Sequence, residues 1–415
     1  MIHTLLRRRE LCLGVAAAAF APAIASKAWA QTVYGDAPPP PGRPLADDVD
    51  NSRRIIPAPR SDYWPYSGIS GAGAPVTRRT QGGGWVSGMP DVRYQGPEPR
   101  TYPTAPWGGS SSGSVVKDGL LPPIRPIWDA HIRDTIIRPA PDGSYYMTGS
   151  TGDNIWAVND GVELWRSRDL ATWDYLGLVW SIDRDGTWEK NWTMRKGVPF
   201  RAIWAPEIHY VAGSWVICTS ISGVGVGLLK SISGKPEGPY KAVISDTAPI
   251  RGSIDSTLFE DDNGRVWLTF GAAEAVREIK RDFSAFAGDW IPLVYDDSVV
   301  HTDAQGRRRM GFEGATLFKR DGRYYLGVVH KTEGRYSFAF AMSDKLLGPY
   351  HTKHEGVPGG GGGNVFKDHK GRWWQTYFGN DDAAPFREKP GLVRIDFDAA
   401  GKIVVAKDQP FLVMA

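Results

Sequence analysis

Apolar and polar positions in residues 121–415 follow a strand pattern. Short runs rich in Val, Ile, Tyr, Trp and Thr end at turn residues, and no long stretch has a helical period. Five turns share one design, in which a glycine precedes a short strand that is rich in aromatic residues. They are Asp142-Gly143, Ala212-Gly213, Asn263-Gly264, Asp321-Gly322 and Lys370-Gly371. Because Asp-Gly and Asn-Gly between apolar runs are strong hairpin signals, we predict five hairpins.

The spacing of these turns indicates a repeat. Neighbouring turn glycines lie 49 to 70 residues apart, which is enough for four short strands and their loops. Repetition of four-stranded units at such intervals is typical of a β-propeller. We therefore predict an all-β fold, namely a five-bladed β-propeller over residues 121–415 that follows a Pro/Gly-rich N-terminal extension.

Three acidic residues share one position relative to the turns. Asp134, Asp255 and Glu313 each lie nine residues before a turn glycine. If the hairpins superpose, the three carboxylates begin the first strands of three blades, and first strands line the channel of a propeller. We therefore expect them to converge in one axial cavity, with the register left open because turns can differ by one residue. Asp129 competes with Asp134, and the repeat position favours Asp134.

Residues 1–30 have the form of an export signal. Arg7 to Arg9 form the charged region, Leu11 to Ala25 an alanine-rich apolar core, and Ala28 to Ala30 a cleavage site. Arg8 and Arg9 also resemble a twin-arginine signal, with an ordinary Sec signal as the alternative. The core is too short to span a membrane, and the sequence has no longer apolar run. We expect bacterial export, to the periplasm or the medium.

Residues 31–120 differ from the repeats in composition. Pro, Gly, Ser and Arg dominate, so this segment cannot bury enough apolar surface to fold alone. Trp64, Trp85 and Trp107 interrupt it, so one interpretation is an arm that packs its tryptophans on the propeller and, in a functional version, walls the mouth of the active site. A flexible leader is the alternative.

Charge and cysteine usage narrow the possible partners. Without residues 1–30, the 49 basic and 46 acidic residues fall by four and one, to 45 of each. A net charge of zero gives no electrostatic case for nucleic acid or an anionic membrane and suits a neutral polymer. Cys12 belongs to the export signal, so Cys218, which we expect to be buried, has no partner for an intrachain disulfide. No feature of the sequence indicates the oligomeric state.

Converging carboxylates suit the hydrolysis of a glycosidic bond. One carboxyl group protonates the leaving oxygen, and another acts from the opposite side of the sugar. Inverting enzymes hold the two about 6.5–9.5 Å apart, which leaves room for a water molecule. A third carboxylate beside the acid would favour its protonated form. The sequence therefore predicts a glycosidase that acts on an oligo- or polysaccharide.

Five motifs resemble glycoside hydrolase family 43, and the resemblance covers about residues 125–400. They are Ile132-Arg133-Asp134, Arg166 to Trp173, Trp204 to Tyr210, Ser253 to Phe259 and Phe312 to Leu317. The resemblance implies an inverting, mostly exo-acting enzyme on glycans that contain arabinose, xylose or galactose. It also implies that Asp134 is the general base, that Glu313 is the general acid, and that Asp255 orients this acid and tunes its pKa.

The chain departs from the family pattern at two places. Thr135 follows the base where the family usually has proline. In blade five, Gly359 to Gly363 and then Asn364 replace a Gly-His-Gly turn that often lies beside a bound calcium. We therefore expect no cofactor and no metal, and an axial calcium ion stays open. The glycine run either lets substrate or water approach the backbone closely or forms a mobile loop.

Four further residues are candidates for substrate contact. They are Trp204, which would stack on a sugar at the channel mouth, Glu207 and His209, which share a strand face, and Asn364 beside the glycine run. Structural roles are the alternative for each. For the whole protein, a retaining fructan-type propeller enzyme and a non-catalytic sugar-binding propeller are the other interpretations.

Overall fold

A computed structural model gives the fold of the 415-residue chain. The predicted export signal and most of the extension lie outside the described residues. The residues that the structure describes are 78–79, 85–86, 100–102, 126–127, 132–151, 159, 161–195, 198–303, 306–380 and 389–410.

Five antiparallel sheets, each built from four consecutive strands, form the blades of a propeller. Blade one contains Arg133–Pro139, Tyr145–Ser150, Gly161–Ser167 and Trp173–Ser181. Blade two contains Ile203–Val211, Ser214–Ile221, Gly225–Ser231 and Tyr240–Val243. Blade three contains Thr257–Glu260, Val266–Thr269, Ala275–Ile279 and Ile291–Pro292. Blade four contains Glu313–Arg320, Arg323–Thr332, Arg335–Ser343 and His351–Glu355. Blade five contains Val365–Lys367, Trp373–Tyr377, Gly391–Phe397 and Ile403–Val405.

The remaining described elements are short. The further strands are Arg78–Arg79, Trp85–Val86, Arg100–Tyr102, Thr193–Arg195, Val198–Phe200, His301–Thr302 and Arg308–Arg309. A four-residue α-helix, Ile182–Asp185, and a 3₁₀ turn, Trp188–Lys190, lie between blades one and two. In the described part of the chain, no helix has the length and apolar character needed to cross a membrane.

The first strands of neighbouring blades contact one another around the whole ring, so they surround the axis. Large apolar side chains fill each of the five interfaces between blades. Cys218 is fully buried between blades two and three, as expected. Most tryptophans named in these cores therefore serve packing.

The seam between blades five and one closes through a side chain, because both blades are built from consecutive strands. The Nδ2 of Asn364 donates a hydrogen bond to the Ile137 carbonyl at 2.8 Å. The Ile137 N–H donates to Asn364 Oδ1 at 3.0 Å. A backbone bridge between Thr135 and Gly363 lies beside them. The amide of Asn364 thus satisfies the backbone groups of a neighbouring strand in the manner of another strand.

Two kinds of hairpin loop alternate along the chain. Blades two and four have two-residue loops, closed by Val211 with Ser214 and by Arg320 with Arg323. In blades one, three and five, three loop residues lie between the closing residues. These pairs are Ala140 with Ser144, Asp261 with Arg265, and Asp368 with Arg372.

Each blade has a residue with positive φ at the start of its inner strand. These residues are Asp134, Ala205, Asp255, Gly314 and Gly362. Because the loop of blade four is one residue shorter than those of blades one and three, Gly314 is the counterpart of Asp134 and Asp255. The expectation that Glu313 shares their position is wrong by one residue. Glu313 corresponds to Arg133, which also begins its inner strand.

Part of the extension belongs to the sheet of blade one. Arg100–Tyr102 pairs in antiparallel fashion with the outermost strand, with Arg100 opposite Tyr175 and Tyr102 opposite Trp173. The extra strand covers an edge that would otherwise expose unpaired backbone groups. The predicted contacts of the tryptophans of the extension lie outside the described side chains and stay a prediction.

Candidate active site

The inner strands of all five blades enclose a small axial cavity. Its volume is about 20 Å³, and the carboxylates of Asp134, Glu207 and Asp255 belong to its lining, together with Tyr336 of blade four. This volume accommodates about one water molecule. A monosaccharide is too large for the cavity, so a sugar would have to bind at its mouth with the reacting end toward the carboxylates.

Asp134 is held from blades one and two. Its φ is 52°, in the left-handed region that aspartate tolerates better than most residues. Ser150 Oγ donates a hydrogen bond to Asp134 Oδ2 at 2.6 Å, and the same hydroxyl accepts from the Ala205 N–H at 2.7 Å. One buried hydroxyl therefore orients the carboxylate and joins the two blades.

Asp255 connects blades two, three and four. Its backbone N–H donates to Ser220 Oγ at 3.0 Å, and its Oδ2 accepts from the Gly314 N–H at 2.9 Å. Burial, and then the negative charges of Glu313 and Asp134, hold the pKa of Asp255 well above its usual range. Asp255 is thus close enough to both other acids for their charges to repel its own.

Glu313 is 2% exposed and directly precedes Gly314. The Tyr336 hydroxyl donates a hydrogen bond to Glu313 Oε1 at 2.5 Å. Protein atoms fill the space beside the flanking glycines, because a Cβ at Gly314 would lie 2.8 Å from Val329 Cγ2. A substrate therefore has no room beside Gly314.

Glu207 lines the cavity, and its carboxylate contacts His209 and Arg138. Glu207 Oε2 lies 2.8 Å from His209 Nε2 and 3.6 Å from Arg138 Nη2. Burial, and then the charge of Arg138, lower the pKa of His209 to about 4. His209 is therefore neutral at pH 7, and we assign its proton to Nε2, which donates to Glu207. Glu207 lines the cavity, so its contact with substrate stays a prediction, whereas His209 is 2% exposed and supports Glu207.

Two of the residues that we expected to bind substrate are covered by protein. Trp204 is 5% exposed and packs with Ala202 and Ile254, so its ring has no open face for stacking on a sugar. Asn364 is fully buried, and both polar atoms of its side chain bind Ile137 at the seam. The sequence could not distinguish these packing roles from substrate contacts.

The glycine run of blade five packs against aromatic rings. A Cβ at Gly361 would lie 2.6 Å from Tyr336, and one at Gly362 would lie 2.1 Å from Phe378. Within the described residues, no group of three or more His, Cys, Asp or Glu side chains could hold a metal ion. We therefore derive no chemical step that uses an axial calcium ion.

Sequence reasoning missed Ser150, Arg138 and Tyr336. Each lies on a different strand from the carboxylate that it contacts, and Ser150 and Tyr336 belong to none of the sequence motifs. Arg138 has a weak signal, since it is a charged residue that directly follows the buried pair Ile136 and Ile137 in an inner strand.

Known proteins resemble this chain in sequence and in fold. The family model described as Glycosyl hydrolases family 43 matches residues 124–403. A β-D-galactofuranosidase of Aspergillus niger is 29% identical over 203 residues, which are 44% of this chain and 53% of that protein. An extracellular exo-α-(1→5)-L-arabinofuranosidase of Cellvibrio japonicus is 24% identical over 271 residues, which are 59% of this chain and 76% of that protein. The chain thus spans about half of the length of the first relative.

A solved structure supports the fold. The exo-1,5-α-L-arabinanase from a bovine ruminal metagenomic library superposes with a TM-score of 0.50 at 20% identity. The match covers 66% of this chain and 97% of that one. At this identity, the likeness shows the shared propeller and no more.

Proposed function

Since the chain belongs to glycosyl hydrolase family 43, we propose that it is an inverting, exo-acting glycoside hydrolase. It would remove terminal arabinofuranosyl, xylosyl, galactosyl or galactofuranosyl residues from glycans. One observation carries the proposal. Asp255 accepts a hydrogen bond from the backbone beside Glu313, and the charges of both Glu313 and Asp134 raise the pKa of Asp255. Asp134 and Asp255 line the cavity, and Glu313 directly precedes Gly314, which also lines it.

In the proposed mechanism, Asp134 is the base and Glu313 the acid. The Asp134 carboxylate takes a proton from a water molecule, whose oxygen attacks the anomeric carbon. Glu313 gives its proton to the glycosidic oxygen as the bond between that oxygen and the anomeric carbon breaks. The product has the inverted anomeric configuration. Asp134 ends protonated and Glu313 ionised, and exchange with solvent restores both groups.

Asp255 would serve the acid in two ways. Its bond to the Gly314 N–H holds the backbone next to Glu313. Because their negative charges repel each other, the two groups do not ionise together readily, so we expect the carboxyl groups of Asp255 and Glu313 to share one proton. This proton is the one that the leaving group would receive.

The proposed substrate class follows from the relatives and from the small cavity. The relatives named above are a galactofuranosidase and an exo-acting arabinofuranosidase. A site that ends at the axis would favour the terminal residue of a chain. The relative from Cellvibrio japonicus is described as extracellular, and the export pattern of residues 1–30 supports a periplasmic or secreted location here as well.

A panel of 4-nitrophenyl arabinofuranoside, xyloside, galactofuranoside and galactoside tests the proposal. We expect turnover of at least one glycoside, and NMR of the first product should show the inverted anomer. Asp134→Asn should abolish this turnover. An initial product with the retained configuration would overturn the mechanism in favour of a retaining, fructan-type reaction. Saturable glycan binding without turnover of any glycoside would favour a non-catalytic sugar-binding propeller.

A further inference from the structure

Tyr336 contacts the proposed acid from outside every motif of the sequence. It lies on the third strand of blade four, and its hydroxyl donates to Glu313 Oε1 at 2.5 Å. This bond becomes charge-assisted, and so stronger than a bond between neutral groups, once Glu313 has given up its proton. Because Oε1 accepts this bond, the proton that Glu313 donates to the leaving group must be on Oε2.

The Tyr336 ring is fixed between blades four and five. It is 4% exposed, and its centroid lies 6.0 Å from that of Phe312 and 5.6 Å from that of Phe378. A hydroxyl on a ring held in this way has one position. It therefore selects one orientation of the carboxyl group of Glu313.

The glycine run of blade five packs directly against the Tyr336 ring. A Cβ at Gly361 would lie 2.6 Å from Cδ1 and Cε1 of Tyr336, which is closer than such atoms approach in real proteins. The φ angle of Gly361 is not in the left-handed region. Glycine is therefore needed here for space and not for its backbone conformation. Any side chain would displace the ring that holds Glu313.

We propose, building on the function proposed above, that Tyr336 is a positioning residue for the acid Glu313 and that Gly361 sets the place of Tyr336. This pair directs Oε2 of Glu313 toward the leaving oxygen. It also assigns a purpose to the glycine run, which stands where a Gly-His-Gly turn was expected.

The charges around the pair define its pH dependence. The charges of Asp255 and Glu313 act on each other, those of Asp134 and Arg133 act on Tyr336, and Arg133 stacks on Phe378 at 4.2 Å. The Lys331 ammonium lies 5.5 Å from the centroid of the Tyr336 ring. Burial, and then the Glu313 carboxylate, raise the pKa of Tyr336 well above its usual range, so the hydroxyl remains a donor. Its bond favours the ionised form of Glu313.

Tyr336→Phe tests the proposal with aryl glycosides of graded leaving-group ability. We expect kcat to fall about tenfold to a hundredfold for poor leaving groups and much less for activated ones. The alkaline limb of the pH–rate profile should move up by about one pH unit, because Glu313 loses a bond that favours its ionised form. Tyr325→Phe is the matched control, since Tyr325 is buried in the same blade and donates to the Gly401 carbonyl at 2.9 Å. It should leave both properties unchanged.

Gly361→Ala keeps the hydroxyl and displaces the ring, so it tests the proposal even if Tyr336→Phe fails to fold. We expect the same selective loss on poor leaving groups. Gly360→Ala is its control, because a Cβ there would contact Val357 and Tyr377 and not Tyr336. A wild-type protein that hydrolyses no glycoside would overturn the proposed function. If the wild type is active, unchanged leaving-group dependence and an unchanged alkaline limb in Tyr336→Phe would overturn the role of Tyr336 alone. If Tyr336→Phe does not fold, unchanged leaving-group dependence in Gly361→Ala would overturn it.

Discussion

The Oδ2 atom of Asp255 accepts a hydrogen bond from the backbone N–H of Gly314 at 2.9 Å, across the interface of blades three and four. Gly314 has the position in blade four that Asp255 has in blade three, and both have positive φ. In blades one and two, a serine hydroxyl accepts from the N–H of the next blade's counterpart. In blade three, the carboxylate itself does so. A packing contact of the ring and a candidate catalytic group are therefore the same side chain.

Asp255→Asn should separate these two tasks. The amide oxygen can still accept from the Gly314 N–H, so we expect the fold to persist, while the lost charge should lower kcat about a hundredfold or more. The raised pKa of Asp255 means that its stabilising contribution is complete below the unfolded pKa and is lost as pH rises through the folded pKa. At pH 7, Asn should therefore be more stable than Asp.

Thermal unfolding of both proteins between pH 4 and pH 7 measures this effect. The advantage of Asn should shrink as pH falls toward 4, because Asp255 then becomes neutral in the folded and unfolded states. A variant that is less stable than the wild type at pH 7 would contradict the assignment of a strained carboxylate.

Asp134 allows a comparison of charge with backbone conformation. Its φ of 52° is tolerated by Asn as well as by Asp, whereas Ala in this region costs about 1–2 kcal/mol. We expect Asp134→Asn and Asp134→Ala to be equally inactive, since neither can accept a proton. Only Asp134→Ala should melt several degrees below the wild type. Calorimetry and kcat measured on the same samples check this; equal melting temperatures would contradict the strain argument.

The sequence predicted the number of blades and the equivalent positions of Asp134 and Asp255 for a simple physical reason. A glycine in a tight turn is visible in the sequence, and the turn fixes where its inner strand ends. Counting back from Gly143 and Gly264 therefore found two residues at the same place in their blades, Asp134 and Asp255. At Glu313 the count was wrong by one position because the hairpin loop of blade four is one residue shorter. Loop length depends on backbone geometry, which the residue types in the turn do not determine.

Contacts between blades were beyond prediction from the sequence. Trp204 and Asn364 have residue types that suit sugar binding, but the neighbouring blades cover them. Tyr336 has no motif, and only the register of blade four places it beside Glu313. Which side chains meet across a closed ring depends on the rotation between blades, and local patterns do not encode this rotation.

His209 should give the protein a stability that falls in acid. Its folded pKa of about 4 lies below its unfolded value near 6.5. The unfolded chain therefore binds more protons between these values, and stability decreases as pH falls through this window, by about 1.4 kcal/mol per pH unit at most. Asp255 has the opposite sign, so the two groups can be told apart.

His209→Gln provides the measurement. The amide N–H can still donate to Glu207, and glutamine does not titrate. We expect a lower melting temperature than that of the wild type at pH 7 and a smaller loss between pH 7 and pH 4.5. Parallel pH curves for the two proteins would show that His209 is not the buried neutral group described above.

Asn364→Ala should weaken the closure of the ring. It removes the partners of the N–H and carbonyl of Ile137, both of which are buried at the seam. Each unsatisfied group costs about 1–3 kcal/mol, so we expect unfolding at a clearly lower urea concentration. Asn263→Ala is a control, because Asn263 lies exposed in the loop of blade three and should cost much less. Folded Asn364→Ala should keep the wild-type KM, since its amide faces Ile137; a raised KM with unchanged stability would instead support the substrate contact expected from the sequence.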